Sequence, residues 1–163
     1  MAEPTGNIAA SVKQRLLNIS REQGRGFDIL LVRFALERLL LRLSKSEYRD
    51  RFILKGGMLI TQWFDHDNRE TRDMDFLGFG SDEPEAVKSI FAKIMQIASD
   101  DGLAFDINTI TAIPIREAME YGGIRLRTAA YLEKTRVPVV LDIGFGDALA
   151  DPGQTIDYPS ILG

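Results

Sequence analysis

The stretch RDMDFLGFG, residues 72–80, decides how this chain is read. Residues 73–79 alternate in the manner of a strand, so Asp73 and Asp75 leave one face while Met74 and Phe76 leave the other. Two carboxylates then converge on one spot. Oxygen ligands of this kind suit Mg²⁺, and two such ions about 4 Å apart can hold the attacking and leaving oxygens of an in-line displacement at phosphorus. An exposed strand end that carries Asp-x-Asp for solubility is the competing structural reading.

Upstream, the polar segment 65–72 reads as a loop, and residues 51–54 form a short apolar strand that ends in Lys55, Gly56 and Gly57. A helical pattern resumes at residues 58–64, which makes the glycine pair a strand-to-helix turn. Backbone amides at such a helix N-terminus can receive phosphate oxygens, and the missing side chains allow close approach. The spacing fits neither a P-loop nor a dinucleotide fingerprint, so a tight turn alone is the structural alternative. Lys55, Arg69 and Arg72 flank these features and are candidates to neutralise a triphosphate, or else to pair with Asp65, Asp67 and Glu70. The single histidine, His66, lies among charged loop residues and is given no catalytic role, while Trp63 has core-like spacing from Leu59 and Ile60.

Further upstream are two helices. Residues 8–21 carry Ile8, Val12, Leu16 and Ile19 at helical spacing, and the leucine-rich segment 27–43 follows the punctuation at Gly24 and Gly26. Arg33, Glu37, Arg38 and Arg42 on the second helix are expected to form a solvated face rather than a nucleic-acid surface.

Downstream, Pro84 opens a helix to about residue 98, with Val87, Ile90, Phe91, Ile94 and Ile97 on one face. The segments 103–113, 123–132 and 137–145 read as three strands, with a short helix around 115–120, and residues 147–163 hold no convincing element. Asp142 interrupts the last apolar strand. Burying a carboxylate is costly unless it is paired, hydrogen-bonded or bound to metal. If that strand lay beside the one bearing Asp73 and Asp75, all three carboxylates would meet at about the 5 Å strand spacing. An edge position, or a salt bridge to an arginine, is the alternative for Asp142. Arg125 and Arg127 share a strand face and are read either as substrate contacts or as paired surface charges.

Composition bounds the rest. A chain of 163 residues, 45% hydrophobic and 27% charged, suits one domain with a real core, and only residues 1–7 look like a loose tail. A net charge of -4 excludes a protein that grips nucleic acid over its whole surface, so any such contact must be local. With no cysteine there are no disulfides, thiolate metal sites or thiol nucleophiles. No apolar run approaches the roughly 20 residues needed to span a bilayer, and a cytoplasmic protein is expected, without a membrane partner.

Taken in order, FILKGGMLITQW (52–63), RETRDMDFLGFG (69–80) and VVLDIGFGD (139–147) resemble the AbiEii/AbiGii toxin family of nucleotidyltransferases, a branch of the polymerase-beta-like superfamily. SVKQRLLNIS (11–20) and RFALERLLLRLSKSEYRDRF (33–52) extend the resemblance over nearly the whole chain. The resemblance implies an α+β nucleotidyltransferase fold: a mixed sheet of about five strands flanked by helices, two of them N-terminal, with the carboxylates at one end of the sheet. It implies nucleotide transfer from a nucleoside triphosphate. Asp73 and Asp75 would hold Mg²⁺, and Asp142 would complete the site or activate the acceptor hydroxyl. Lys55, Gly56, Gly57, Arg69 and Arg72 would serve the nucleotide. It further implies a toxin of a toxin-antitoxin or phage-defence system, a cognate antitoxin and a tRNA acceptor. Similar proteins continue past TIDYPSILG (155–163) into helices bearing Ala-Glu-Lys and Lys-Asp motifs. The 163 residues contain neither, so the expectation is a single core domain holding the carboxylate half of the site. A catalytically inactive, partner-binding form of the fold is the alternative.

Overall fold

In a computed structural model that describes residues 5–55, 74–115 and 123–145, the apolar runs come together as a six-stranded mixed sheet with helices packed on one face. The described elements are helix α1 (Thr5–Gln23), helix α2 (Phe27–Ser44), strand β1 (Phe52–Lys55), strand β2 (Met74–Gly78), helix α3 (Pro84–Met95), strand β3 (Leu103–Phe105), strand β4 (Thr111–Ile115), strand β5 (Gly123–Leu132) and strand β6 (Thr135–Gly144). This is the expected α+β arrangement. Among the described residues no helix is long and apolar enough to cross a membrane.

The strand order is β1-β2-β6-β5, with β3 and β4 lying in succession along the outer edge of β5. All pairings are antiparallel except β2 with β6, which run parallel. A parallel pair cannot be closed by a tight turn, and here the chain spends α3 and three strands between its members. The inward face is apolar by alternation: Met74 and Phe76 on β2 meet Leu141 and Ile143 on β6, which in turn meet Leu126 and Ile124 on β5. All six are buried. Phe52, Phe76 and Phe91 join β1, β2 and α3, with ring centroids 4.9 to 6.3 Å apart in tilted and edge-on contacts that suit aromatic quadrupoles. Gly78 closes β2 because a Cβ there would fall 2.6 Å from the Phe145 ring.

Several expectations are corrected. The run 103–113 is not one strand: β3 and β4 are separated by a 3₁₀ turn at Ile107–Thr109. The Asp106 carboxylate accepts from the Asn108 amide, its carbonyl accepts from the Thr128 hydroxyl, and Ile110 turns inward to become buried. The second strand then runs through Pro114 to Ile115, so Ile115 belongs to a strand, and the rest of the helix expected around 115–120 lies outside the described residues. Pro114 is tolerated because an edge strand can spare an amide donor. Among the described residues there are accordingly six strands rather than about five, four of them after α3.

The polar face of α2 is also not solvated. Arg33, Glu37 and Arg42 are buried in a helix that is enclosed on nearly every side by α1, α3 and β6. Arg33 pairs with Glu37 one turn away at 2.8 Å. Arg42 donates to both carboxylate oxygens of Asp101, at 2.7 and 3.0 Å, and to the Ile97 carbonyl, while its guanidinium lies 5.0 Å from the Phe105 ring centroid. Arg38 adds a second cation to the same carboxylate at 2.9 Å. Beside this corner Gly102 has a φ of +74°, and a Cβ on it would lie 2.7 Å from the Ala9 backbone, so α1 is seated directly on the turn. The helix expected at 58–64 and the segment 147–163 lie outside the described residues.

Candidate active site

The sheet's second face carries two of the expected carboxylates. Alternation that sends Met74 and Phe76 inward sends Asp75 outward, and on β6 it sends Asp142 outward between buried Leu141 and Ile143. Asp75 and Asp142 are register partners across the parallel pair. The expected neighbouring of their strands is therefore met, at the approach that register partners share, about 4.8 Å in the hydrogen-bonding direction.

The row extends to both sides. Lys55, the last residue of β1, is the register partner of Asp75, and Arg125 on β5 is that of Asp142. Arg125 donates from Nε to Asp142 Oδ1 at 2.8 Å and from Nη2 to Oδ2 at 3.1 Å, a planar fork matched to a carboxylate. The alternative reading of Asp142 as salt-bridged to an arginine and the reading of Arg125 as a paired charge are thus two halves of one interaction. The pair sits between interior and solvent: the Asp142 side chain is 12% exposed and that of Arg125 37%.

Two acidic side chains opposite one another on neighbouring strands repel, and a cation between or beside them removes that cost. Arg125 supplies one positive charge from the β5 side. The donor set at the pair is all oxygen, with neither imidazole nor thiolate, which fits a hard divalent ion such as Mg²⁺. Among the described residues no group of three or more His, Cys, Asp or Glu could hold a metal. Asp73, the third member of the expected set, lies outside them, as do Gly56, Gly57, Arg69 and Arg72; Lys55 is placed by its backbone alone.

Compared with known families, residues 38–163 match the family described as nucleotidyl transferase AbiEii toxin, type IV toxin-antitoxin system. That span takes in every described strand and α3. A comparison with curated proteins gave no match.

Proposed function

The chain belongs to the AbiEii nucleotidyl transferase toxin family of type IV toxin-antitoxin systems, and from that premise we propose that residues 1–163 form a nucleotidyltransferase core whose Mg²⁺ site is Asp73, Asp75 and Asp142. Membership carries with it a nucleotide substrate and an antitoxin partner. The observation that carries the assignment to residues is the register of Asp75 with Asp142 on adjacent parallel strands.

Bound there, Mg²⁺ supplies charge neutralisation for the triphosphate and polarisation at phosphorus. The chain's own groups do the rest. Asp75 and Asp142 offer carboxylate oxygens from a rigid sheet rather than from loops, which favours a fixed geometry. Arg125 holds the plane of the Asp142 carboxylate through its two hydrogen bonds. The backbone of Gly56 and Gly57 and the cations Lys55, Arg69 and Arg72 take the phosphates. An acceptor hydroxyl then forms the new oxygen–phosphorus bond at the α-phosphate, the α–β bridging bond breaks, and pyrophosphate leaves. Asp142 completes the ion site or takes the hydroxyl proton. The acceptor is the end of a tRNA, and the setting is cytoplasmic, as part of phage defence.

Calorimetric titration of the whole chain with Mg²⁺ and each of the four nucleoside triphosphates tests the site. Heat of binding with at least one triphosphate is expected, lost on Asp75→Ala or Asp142→Ala and absent without the metal. Silence with all four sinks the assignment. Incubation with labelled triphosphate and total RNA then reports transfer directly.

A further inference from the structure

Four adjacent strands contribute one residue each to a single row across the sheet. Lys55 on β1 is in register with Asp75 on β2, Asp75 with Asp142 on β6, and Asp142 with Arg125 on β5. By formal charge the row reads plus, minus, minus, plus, and it is neutral as a whole. The two acids stand side by side in the middle, each with a cation position on its outer side. A divalent ion drawn to the acids therefore meets charge that is already balanced, and it gains less there than it would at a bare acid pair.

At the β5 end a specific contact makes the balance. Arg125 donates from Nε to Asp142 Oδ1 at 2.8 Å and from Nη2 to Oδ2 at 3.1 Å. The two bonds are unequal. Nε sits at the root of the guanidinium and makes the shorter bond, whereas Nη2 is terminal, so a turn about the Nε contact carries it away from Oδ2 and leaves Oδ1 held. Solvent is on the arginine's side: its side chain is the half-exposed member of the pair and that of Asp142 the enclosed one. The cation has room to turn and the carboxylate has not. A guanidinium edge fits a phosphate with the same planar geometry that it offers a carboxylate.

We infer that Arg125 and the divalent ion compete for Oδ2 of Asp142, and that a phosphate of the triphosphate receives the Nη2 edge when Oδ2 is given up. The inference rests on the nucleotidyltransferase reading for the identity of the two ligands, and it states how the site couples them. Oδ2 becomes available to the ion only as Arg125 lets go, and Arg125 lets go most readily when a phosphate replaces the lost carboxylate oxygen. Arg125 thereby disfavours the bare ion and favours the ion and triphosphate together, while its bond to Oδ1 keeps the carboxylate plane fixed. Coupling of this kind is reciprocal, so each ligand strengthens the binding of the other.

Two calorimetric titrations of the whole chain test this, one with Mg²⁺ alone and one with the preformed complex of Mg²⁺ and each nucleoside triphosphate in turn. Arg125→Gln is expected to bind Mg²⁺ alone roughly tenfold more tightly than the unsubstituted chain and the complex roughly tenfold more weakly. Opposite shifts are the signature, because damage to the fold weakens both. Arg125→Lys, which keeps the charge without the fork, returns the affinity for Mg²⁺ alone to that of the unsubstituted chain and recovers only part of the affinity for the complex. Adding Asp142→Asn to Arg125→Gln removes the gain for Mg²⁺, and far-ultraviolet circular dichroism checks that each variant is folded. Two affinities that fall together in Arg125→Gln, or that both stay unaltered, overturn the inference. If the unsubstituted chain binds the complex in that case, the nucleotidyltransferase reading stands without it. No binding of any complex by the unsubstituted chain, with Mg²⁺ alone still tighter in Arg125→Gln, sinks that reading and the phosphate contact together and upholds the competition at Oδ2.

Discussion

Arg42 meets Asp101 through two hydrogen bonds of 2.7 and 3.0 Å, and Arg125 meets Asp142 through two of 2.8 and 3.1 Å, yet the two pairs have opposite surroundings. The first is sealed. Its side chains are 3% and 2% exposed, and the same carboxylate also takes Arg38 and the Leu103 amide. The second has an arginine open to solvent and, in the next strand, another carboxylate in register. One geometry thus serves two ends. A carboxylate with every lone pair committed holds elements together, whereas one held by a half-exposed arginine can change partners, as the ion site proposed for Asp142 requires.

This contrast is broken most directly at Asp101. Asp101→Ala leaves the buried Arg42 charge without its partner, and a loss of roughly 3–5 kcal/mol is expected in urea unfolding. A loss below about 1 kcal/mol would show that the corner is not the structural pair described. The same residue gives the fold an acid sensitivity. Burial pushes the Asp101 carboxyl up, but hydrogen bonds from Arg42 and Arg38, the Arg42 charge and the Leu103 amide together outweigh it and hold the group below its ordinary value. A lowered folded value means that the stabilisation is complete above the unfolded-chain value and is lost as pH falls through the folded one. Stability measured from about pH 6 down to about pH 3 should fall below about pH 4, and the fall should be smaller in Asp101→Asn. Equal pH profiles for the two proteins would count against the pair.

Gly102→Ala probes the backbone of the same corner, combining a left-handed φ with an approach to the Ala9 backbone that cannot swing aside. Roughly 1–3 kcal/mol of destabilisation is expected, read as a lowered melting temperature. The smallest stability effect belongs to the other pair. Arg125→Ala should cost about 1 kcal/mol or less, because an arginine this exposed contributes like a surface ion pair. The same variant should bind Mg²⁺ with triphosphate more weakly by calorimetry, since the plane of Asp142 is no longer held. A large stability loss with unchanged binding would reverse the roles assigned to the two pairs.

How much of this was legible before the structure depends on how local the signal is. Helices α1, α2 and α3 and strands β1, β2, β5 and β6 follow from short-range periodicity, and their ends differ from the expected ones by a few residues where helices fray. The break between β3 and β4 had a local signal that alternation alone overrides, the Asp-Ile-Asn-Thr run at 106–109, in which aspartate bonds the amide two residues on. The burial of Arg33, Glu37 and Arg42 had none: charges spaced along a helix look alike whether water or a neighbouring segment receives them. Of the site, the neighbouring of Asp75 and Asp142 was inferred from the cost of placing an acid in an apolar strand. That Arg125 is the partner of Asp142 depends on the register of β5 against β6, which neither residue's sequence neighbours reveal.

The parallel pairing of β2 with β6 also sets a schedule. Asp75 and Asp142 are 67 positions apart (142 − 75), and their meeting closes the longest loop that the sheet order demands. Closing such a loop is entropically costly and comes late relative to hairpins such as β5 with β6. On a ribosome that releases the chain from its N-terminus, the proposed ion site stays incomplete while only β1, β2 and the helices have emerged. For a member of a toxin family, this means that the nascent chain gains its paired carboxylates only when its last described strand docks.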